Sequence, residues 1–290
     1  MRIPSNKVCD IERFAHAELE ALYPKNEIRT MIQMLFEHYL GWNTAHLLVH
    51  RNSTINQSDL LKLNFAIKDL RHGKPIQHII GKVYFGGATI ITTPHTLIPR
   101  PETEEIVYYI IDKEKVRNPQ YILDICTGSG CIGIALSIGL PMAKVYATDI
   151  STAAIAIAEK NSNTNGCNIS LAVSDIMTEG NPFEVEKYDV IVSNPPYVRD
   201  MEKALMSSNV LDYEPHLALF VPDDDPLMFY KSIVAFANKH LAPNGNLYLE
   251  INEALGKETI ALLEEQGYGA VLHKDFYGKD RMIEAHRLPI

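Results

Sequence analysis

The amino-acid sequence predicts an α/β protein: a doubly wound domain with a largely parallel sheet, preceded by a small all-α domain. From Tyr121 onward, short apolar runs rich in β-branched residues alternate with stretches of helical periodicity. Before Gly73 the apolar residues recur at helical spacing only. In the later part, candidate strands end at Asp124, Asp149, Asp175 and Asn194, and ligands of open parallel sheets bind outside the carboxyl ends of the strands.

The helical part comes first. Ile11, Phe14, Ala15, Leu19 and Leu22 share a face of a helix from Asp10, closed by Tyr23-Pro24. Asn26 could cap a second helix through Ile28, Met31, Ile32, Met34, Leu35, Tyr39 and Leu40, ending at Gly41. Asn43 to Leu48 is a short third helix. Ser58 to Arg71 is a fourth, with Leu60, Leu63, Ile67 and Leu70 on one face and Leu61, Phe65 and Ala66 widening it. His46 and His50 could share a helix face, but no third ligand accompanies them, so no metal site is expected. A small bundle results, over residues 1–73.

From Lys74 the texture changes. Lys74 to Gly81 is followed by Val83 to Gly87 and Ala88 to Thr92, and two β-rich runs with glycines between them suggest a hairpin linker within residues 74–96. In Leu97-Ile98-Pro99-Arg100-Pro101-Glu102-Thr103-Glu104, Pro101 can start a helix whose first-turn acids suit its dipole. Arg100, between two prolines, is either a domain-interface ion-pair partner or a wall of a ligand site.

The third region, 97–290, runs as strands at 121–125, 143–149, 168–173, 188–192 and 245–251, with helices between them from Cys131, Thr152 and Phe229. A helix from Glu253 to Gln266 and two closing strands, 271–275 and 281–286, complete it.

Composition narrows the partners. The 290 residues carry a net charge of −9, unevenly spread. Residues 1–90 hold 11 Lys+Arg against 8 Asp+Glu, whereas residues 91–290 hold 16 against 28. An acidic main domain argues against extended nucleic-acid contact, which needs basic surface for counterion release. Met1 to Asp10 is polar, so no secretory leader is expected, and no apolar run approaches membrane-spanning length. Cys9, Cys126, Cys131 and Cys167 show neither zinc spacing nor a Cys-x-x-Cys pair, which fits a cytoplasmic protein with free thiols.

The chemistry concentrates in two stretches. Asp124-Ile125-Cys126-Thr127-Gly128-Ser129-Gly130 links the first strand to its helix. Its glycines allow a tight turn and close approach of a ligand. With Gly133 they also fit a dinucleotide fingerprint, and Asp149 could take a ribose diol in either case. Asp124 favours S-adenosylmethionine, whose ammonium it could serve, over a pyrophosphate, which it would repel. Asp175 and Ile176 would meet the adenine. Both acids could instead cap turns.

The second stretch is Ser193-Asn194-Pro195-Pro196-Tyr197-Val198. Two prolines stop a buried strand because neither can donate a ladder hydrogen bond. A plain Asn-Pro turn would look the same. What projects from the strand end is an amide, two fixed carbonyls and an aromatic ring.

With both stretches placed, the chain resembles the class I (Rossmann-like) S-adenosylmethionine-dependent methyltransferases with an Asn-Pro-Pro-Tyr motif. More closely, it is similar to the glutamine-N5 methyltransferases of peptide chain release factors. The likeness covers nearly the whole chain through Leu97 to Glu104, Leu123 to Gly130, Ser193 to Val198, Glu214-Pro215 with Leu217-Ala218-Leu219, and Asp280-Arg281. It implies transfer of methyl to the glutamine of the Gly-Gly-Gln motif in class I release factors, leaving S-adenosylhomocysteine. It also implies cofactor binding by Cys126, Thr127, Gly128, Ser129, Gly130 and Asp149, with Asp124, Asp175, Ile176 and Asn194 beside them. Asn194, Pro195, Pro196 and Tyr197 would hold the glutamine. Two departures stand out: Cys126 replaces the usual first loop glycine, and Ile176 replaces an aromatic found in some members.

The catalytic expectation is that the Asn194 oxygen and the Pro195 carbonyl accept the two amide hydrogens, with Tyr197 packing on the amide plane. An exocyclic adenine amine poses the same planar NH₂ problem, so an N6-adenine nucleic-acid methyltransferase is an alternative, as is a methyltransferase for another protein glutamine. A nicotinamide-dependent dehydrogenase would leave Asn-Pro-Pro-Tyr unexplained, and a non-catalytic binding module would leave both motifs unused.

Overall fold

A computed structural model describes residues 3, 5–178 and 180–289. Met1, Arg2 and Pro4, part of the polar N-terminal stretch, lie outside the described residues. The chain forms two compact units, Met1–Gly81 with Ser207–Tyr213, and Lys82–Met206 with Glu214–Ile290.

The first unit holds α1 (Val8–Leu19), α2 (Lys25–Leu40), α3 (Thr44–Val49), α4 (Gln57–Arg71) and α5 (Ile76–Ile80). Ile11, Ala15 and Leu19 of α1 pack with Ile28, Leu35 and Phe36 of α2 and with Leu63, Ile67 and Leu70 of α4, all buried. α2 starts after Pro24 rather than at Asn26 and ends at Gly41, whose left-handed φ of 70° satisfies its last turn. Asn43 caps α3 by accepting the His46 amide at 3.0 Å.

Two expectations change here. Leu61 and Phe65 are 54% and 57% exposed. At roughly 100° per residue they sit well off the stripe of Leu60, Leu63, Ile67 and Leu70. And residues 76–80, inside the span expected as a hairpin linker, are helical: Pro75 precedes the turn, Gly81 ends it in the left-handed region (φ 79°), and Ile76 enters the bundle core. Proline at a helix entry and glycine at its exit outweighed the β-branched run.

The second unit begins with a hairpin, β1 (Lys82–Phe85) and β2 (Ala88–Ile91), followed by α6 (Pro101–Arg117). The alternation continues as β3 (Tyr121–Ile125), α7 (Cys131–Gly139), β4 (Lys144–Asp149), α8 (Thr152–Thr164), β5 (Ile169–Val173) and β6 (Tyr188–Ser193). A short β7 (Val198–Arg199) leads to α9 (Ser208–Tyr213), which belongs to the first unit, and then to β8 (Phe220–Val221). The chain closes through α10 (Met228–His240), β9 (Leu241–Glu250), α11 (Gly256–Glu265), β10 (Tyr268–Lys274) and β11 (Asp280–Arg287).

Seven strands form one sheet in the order β10-β11-β9-β6-β3-β4-β5. Neighbours from β9 to β5 run parallel, and β11 is antiparallel to both β9 and β10. Side-chain alternation builds a core on each face. Ile122, Val190, Val192 and Tyr248 pack with residues of α6 and α7, while Leu123, Ile125, Ile191, Leu247 and Leu249 pack with those of α10 and α11. β3 pairs with β4 on one side and β6 on the other, so the chain order reverses between β3 and β6. That reversal opens a crevice beyond their carboxyl ends.

The hairpin is fastened within this unit. Asn161 of α8 is fully buried; its Oδ1 accepts the Ile91 amide at 2.8 Å and its Nδ2 donates to the Ser129 carbonyl at 2.9 Å. One side chain thus ties β2 to the loop after β3. Asn161→Ala should therefore cost about 1–3 kcal/mol, the cost of stranding buried polar groups. The exposed Lys160→Ala should stay within about 0.5 kcal/mol, with urea unfolding midpoints as the measure.

Candidate active site

The turn after β3 is shaped by a buried carboxylate. Asp124 is fully buried, and its Oδ2 accepts the Thr127 hydroxyl at 2.6 Å and the Gly133 amide at 3.0 Å. The chain curls back over it with Cys126 at φ 61° and Gly130 at φ 80°. A side chain at Gly130 would also press the Ala158 Cβ at 3.1 Å. Burial raises the Asp124 carboxyl to about 7, partly offset by the two hydrogen bonds, with Asp149 adding to the rise.

Three of the loop's amides, and one from the first turn of α7, are spent within the protein. Thr127 donates to the Thr148 carbonyl at 2.9 Å, Gly128 to Asp149 Oδ2 at 2.8 Å and Gly130 to the Thr127 carbonyl at 2.9 Å, while Gly133 of α7 donates to Asp124. A pyrophosphate needs such amides free. The donor set therefore disfavours a dinucleotide and leaves a glycine turn suited to a ligand without phosphate.

Above the loop opens a cavity whose empty volume, mouth included, is about 1220 Å³. Cys126, Thr127, Gly128 and Ser129 floor it, and Asp149, Asp175 and Ile176 follow along the strand ends. Asp149 accepts one backbone amide on each oxygen, from Gly128 and from Ser151 at 2.9 Å. Each oxygen keeps a second lone pair for a ribose hydroxyl. Asp175 is engaged in a turn, accepting the Met177 amide at 2.9 Å and the Thr178 hydroxyl at 3.0 Å. Phe229 also lines the cavity and gives it an aromatic side chain, a contribution the local motif around Ile176 did not reveal. These residues fit an adenosyl group: a diol acceptor, apolar and aromatic walls, and acids to suit a cation.

Asn194 and Pro196 line the same cavity, directly after β6. Ser193 fixes the strand end by donating from its hydroxyl to the Ile125 carbonyl at 2.7 Å. Asn194 Nδ2 donates to Thr103 Oγ1 at 3.3 Å, and Thr103 donates to Glu250 Oε2 at 2.7 Å. The Tyr197 hydroxyl donates to Glu250 Oε1 at 3.0 Å. Burial raises the Glu250 carboxyl and holds the Tyr197 hydroxyl well above its ordinary range. Asp124, Gly130, Pro195 and Tyr197 adjoin lining residues in the chain but are not themselves among the described residues that line the cavity. Arg100 lines the cavity and pairs at 2.6 Å with the buried Glu214 of the same unit, so its ion pair is internal to that unit; Glu214 also accepts the Ile98 amide at 2.9 Å. Sequence reasoning placed neither Thr103 nor Glu250 in the site; both are polar residues beside apolar stretches, and only the fold brings them to Asn194.

Two consequences are measurable. Asp124 binds its proton more tightly folded than unfolded, so between about pH 4 and about pH 7 the folded state carries the extra proton and stability falls as pH rises. Asp124→Asn should flatten the decline of Tm over that range. At residue 126, a β-branched side chain is far more strained at φ 61° than glycine. Cys126→Val should cost about 1–3 kcal/mol and Cys126→Gly less than about 0.5 kcal/mol in chemical denaturation.

Comparison with known proteins places the chain. A family model described as Methyltransferase small domain matches residues 109–212, and one described as PrmC N-terminal domain matches residues 11–81. The release factor glutamine methyltransferase of Flavobacterium psychrophilum is 42% identical over 92% of this chain and 95% of its own length. That of Bacteroides thetaiotaomicron is 39% identical over 96% of this chain and 99% of its own. A crystal structure of a methyltransferase from Pyrococcus furiosus shares the fold, with a TM-score of 0.51 and 23% identity over 70% of this chain and 90% of that one. The chain belongs to the release factor glutamine methyltransferase family.

Proposed function

We propose that this protein transfers a methyl group from S-adenosylmethionine to the side-chain amide nitrogen (N5) of the glutamine in the Gly-Gly-Gln motif of class I peptide chain release factors, in the cytoplasm. The observation that carries this reading is the position of Asn194. It sits on the wall of the cavity floored by Cys126 to Ser129, with its NH₂ turned to Thr103, to which it donates. Its oxygen is left as an acceptor for an incoming NH₂ group.

A carboxamide nitrogen is a weak nucleophile because its lone pair is delocalised into the carbonyl. The cofactor supplies a methyl group on a sulfonium, which leaves as a neutral thioether. The protein's residues must hold the amide in line and favour positive charge on its nitrogen. The Asn194 oxygen and the Pro195 carbonyl, each accepting one amide hydrogen, do this most strongly as the new N–C bond forms. Tyr197, pinned by Glu250, limits the tilt of the amide plane from behind. One amide proton then passes to water, giving N5-methylglutamine and S-adenosylhomocysteine. Asp149 holds the ribose end, and Phe229 with Ile176 encloses the adenine end.

Mass spectrometry after incubation with labelled S-adenosylmethionine and a release factor, a ribosomal protein or duplex DNA tests the substrate. Label on the Gly-Gly-Gln glutamine is expected; label on adenine or on a ribosomal glutamine instead would refute the reading. Asn194→Ala should lower kcat by about a hundredfold or more while leaving S-adenosylhomocysteine affinity within about threefold, measured by steady-state kinetics and calorimetry.

A further inference from the structure

An asparagine offers an acceptor or a donor to its ligand according to which way its amide is turned, and the two orientations differ little in shape. We propose that Thr103 and Glu250 form a polarity relay that fixes Asn194 with its oxygen toward the cavity, and that both act as positioning residues for methyl transfer. The role in transfer rests on the reading that Asn194 accepts a substrate amide hydrogen.

The relay follows from donor and acceptor counting. Glu250 ends β9 and is 3% exposed. An ionised carboxylate can only accept. It takes the Thr103 hydroxyl at 2.7 Å on one oxygen and the Tyr197 hydroxyl at 3.0 Å on the other. Arg281, paired with Asp275 at 3.1 Å, acts on Glu250 electrostatically and favours this ionised form against the cost of burial.

Thr103 is buried in the first turn of α6 and has one hydroxyl proton, which is committed to Glu250. Toward Asn194 it can therefore only accept. The 3.3 Å contact must be Asn194 Nδ2 donating, and the oxygen is turned the other way. Glutamine in place of Glu250 would remove the constraint. Its NH₂ could donate to Thr103, whose proton could then swing to the Asn194 oxygen and turn the NH₂ toward the substrate. A substrate NH₂ would then meet a donor instead of an acceptor.

The test compares Thr103→Ser, Thr103→Val and Glu250→Gln in the full chain, with Thr103→Ala standing in should the valine methyl fail to pack. Thr103→Val should lower kcat/KM toward release factor roughly tenfold to a hundredfold, mostly in kcat. Thr103→Ser should restore it, and Glu250→Gln should lose at least as much as Thr103→Val because Tyr197 is released as well. S-adenosylhomocysteine Kd should move by no more than about twofold in all of them.

A readout independent of turnover is the ¹⁵N resonance of the Asn194 side-chain NH₂, assigned by its loss in Asn194→Asp. Its hydrogens should exchange slowly in the native protein and in Thr103→Ser, and fast in Thr103→Val. Native kcat/KM in Thr103→Val, or unchanged protection of the Asn194 NH₂, would overturn the relay. If the native protein leaves release factor unmethylated, the substrate reading fails separately, and the exchange comparison still decides the orientation of Asn194.

Discussion

A carboxylate buried at the end of β3 sets the form of this site. Asp124 lies where neighbouring strands and the start of α7 exclude water, and an ionisable group there must gather hydrogen bonds or lose its charge. It does both in part: two donors converge on Oδ2, while Oδ1 has no hydrogen-bond partner among the described residues and burial lifts the group to about 7. To bring Thr127 and Gly133 onto one oxygen, the chain must turn back within a few residues. The left-handed residues at 126, 128 and 130 are how it turns. The same curl commits the loop amides to protein acceptors. A glycine-rich turn that could have become an anion cradle becomes a neutral floor beside acids, suited to a cationic ligand.

Across the crevice, Glu250 is a second buried carboxylate with a comparable task. Where Asp124 shapes backbone, Glu250 orients side chains, collecting Thr103 and Tyr197 from α6 and from the segment after β6. Glu214 is a third, holding Ile98 and Arg100 at the cavity wall. Asp124 ties together its own turn, whereas Glu214 and Glu250 join segments distant in sequence, so these charges of an acidic unit act as internal struts rather than surface repulsion.

The strand-ending positions of Asp149 and Asn194 were legible because short β-branched apolar runs locate strands and their ends, and open α/β sheets put ligands there. The helical nature of residues 1–71 was equally plain from spacing. Harder to see was anything decided by tertiary contact. Leu61 and Phe65 look like core on an apolar count, yet the bundle covers only the face holding Leu63 and Leu70. Residues 76–80 carry strand-like isoleucines, and the flanking Pro75 and Gly81 decided otherwise. Phe229 lies far along the chain from Ile176, so its place in the same cavity lining has no local signature. Thr103 and Glu250 are separated by 147 positions, and no spacing rule links them.

The relay also accounts for why position 194 is an amide rather than a carboxylate. Aspartate would be the stronger acceptor, but its charge would lie one hydroxyl away from Glu250, and that hydroxyl has a single proton to share between two anions. One carboxyl would be pushed toward protonation, and a protonated aspartate in that place could present a donor where an acceptor is needed. A carboxylate beside a sulfonium methyl is also itself a nucleophile, open to esterification. Asparagine avoids both: its oxygen accepts a hydrogen bond with little tendency to attack carbon, and its NH₂ gives the neighbouring threonine something to hold. The amide at 194 and the carboxylate at 250 therefore form one functional pair, the second giving the first its direction.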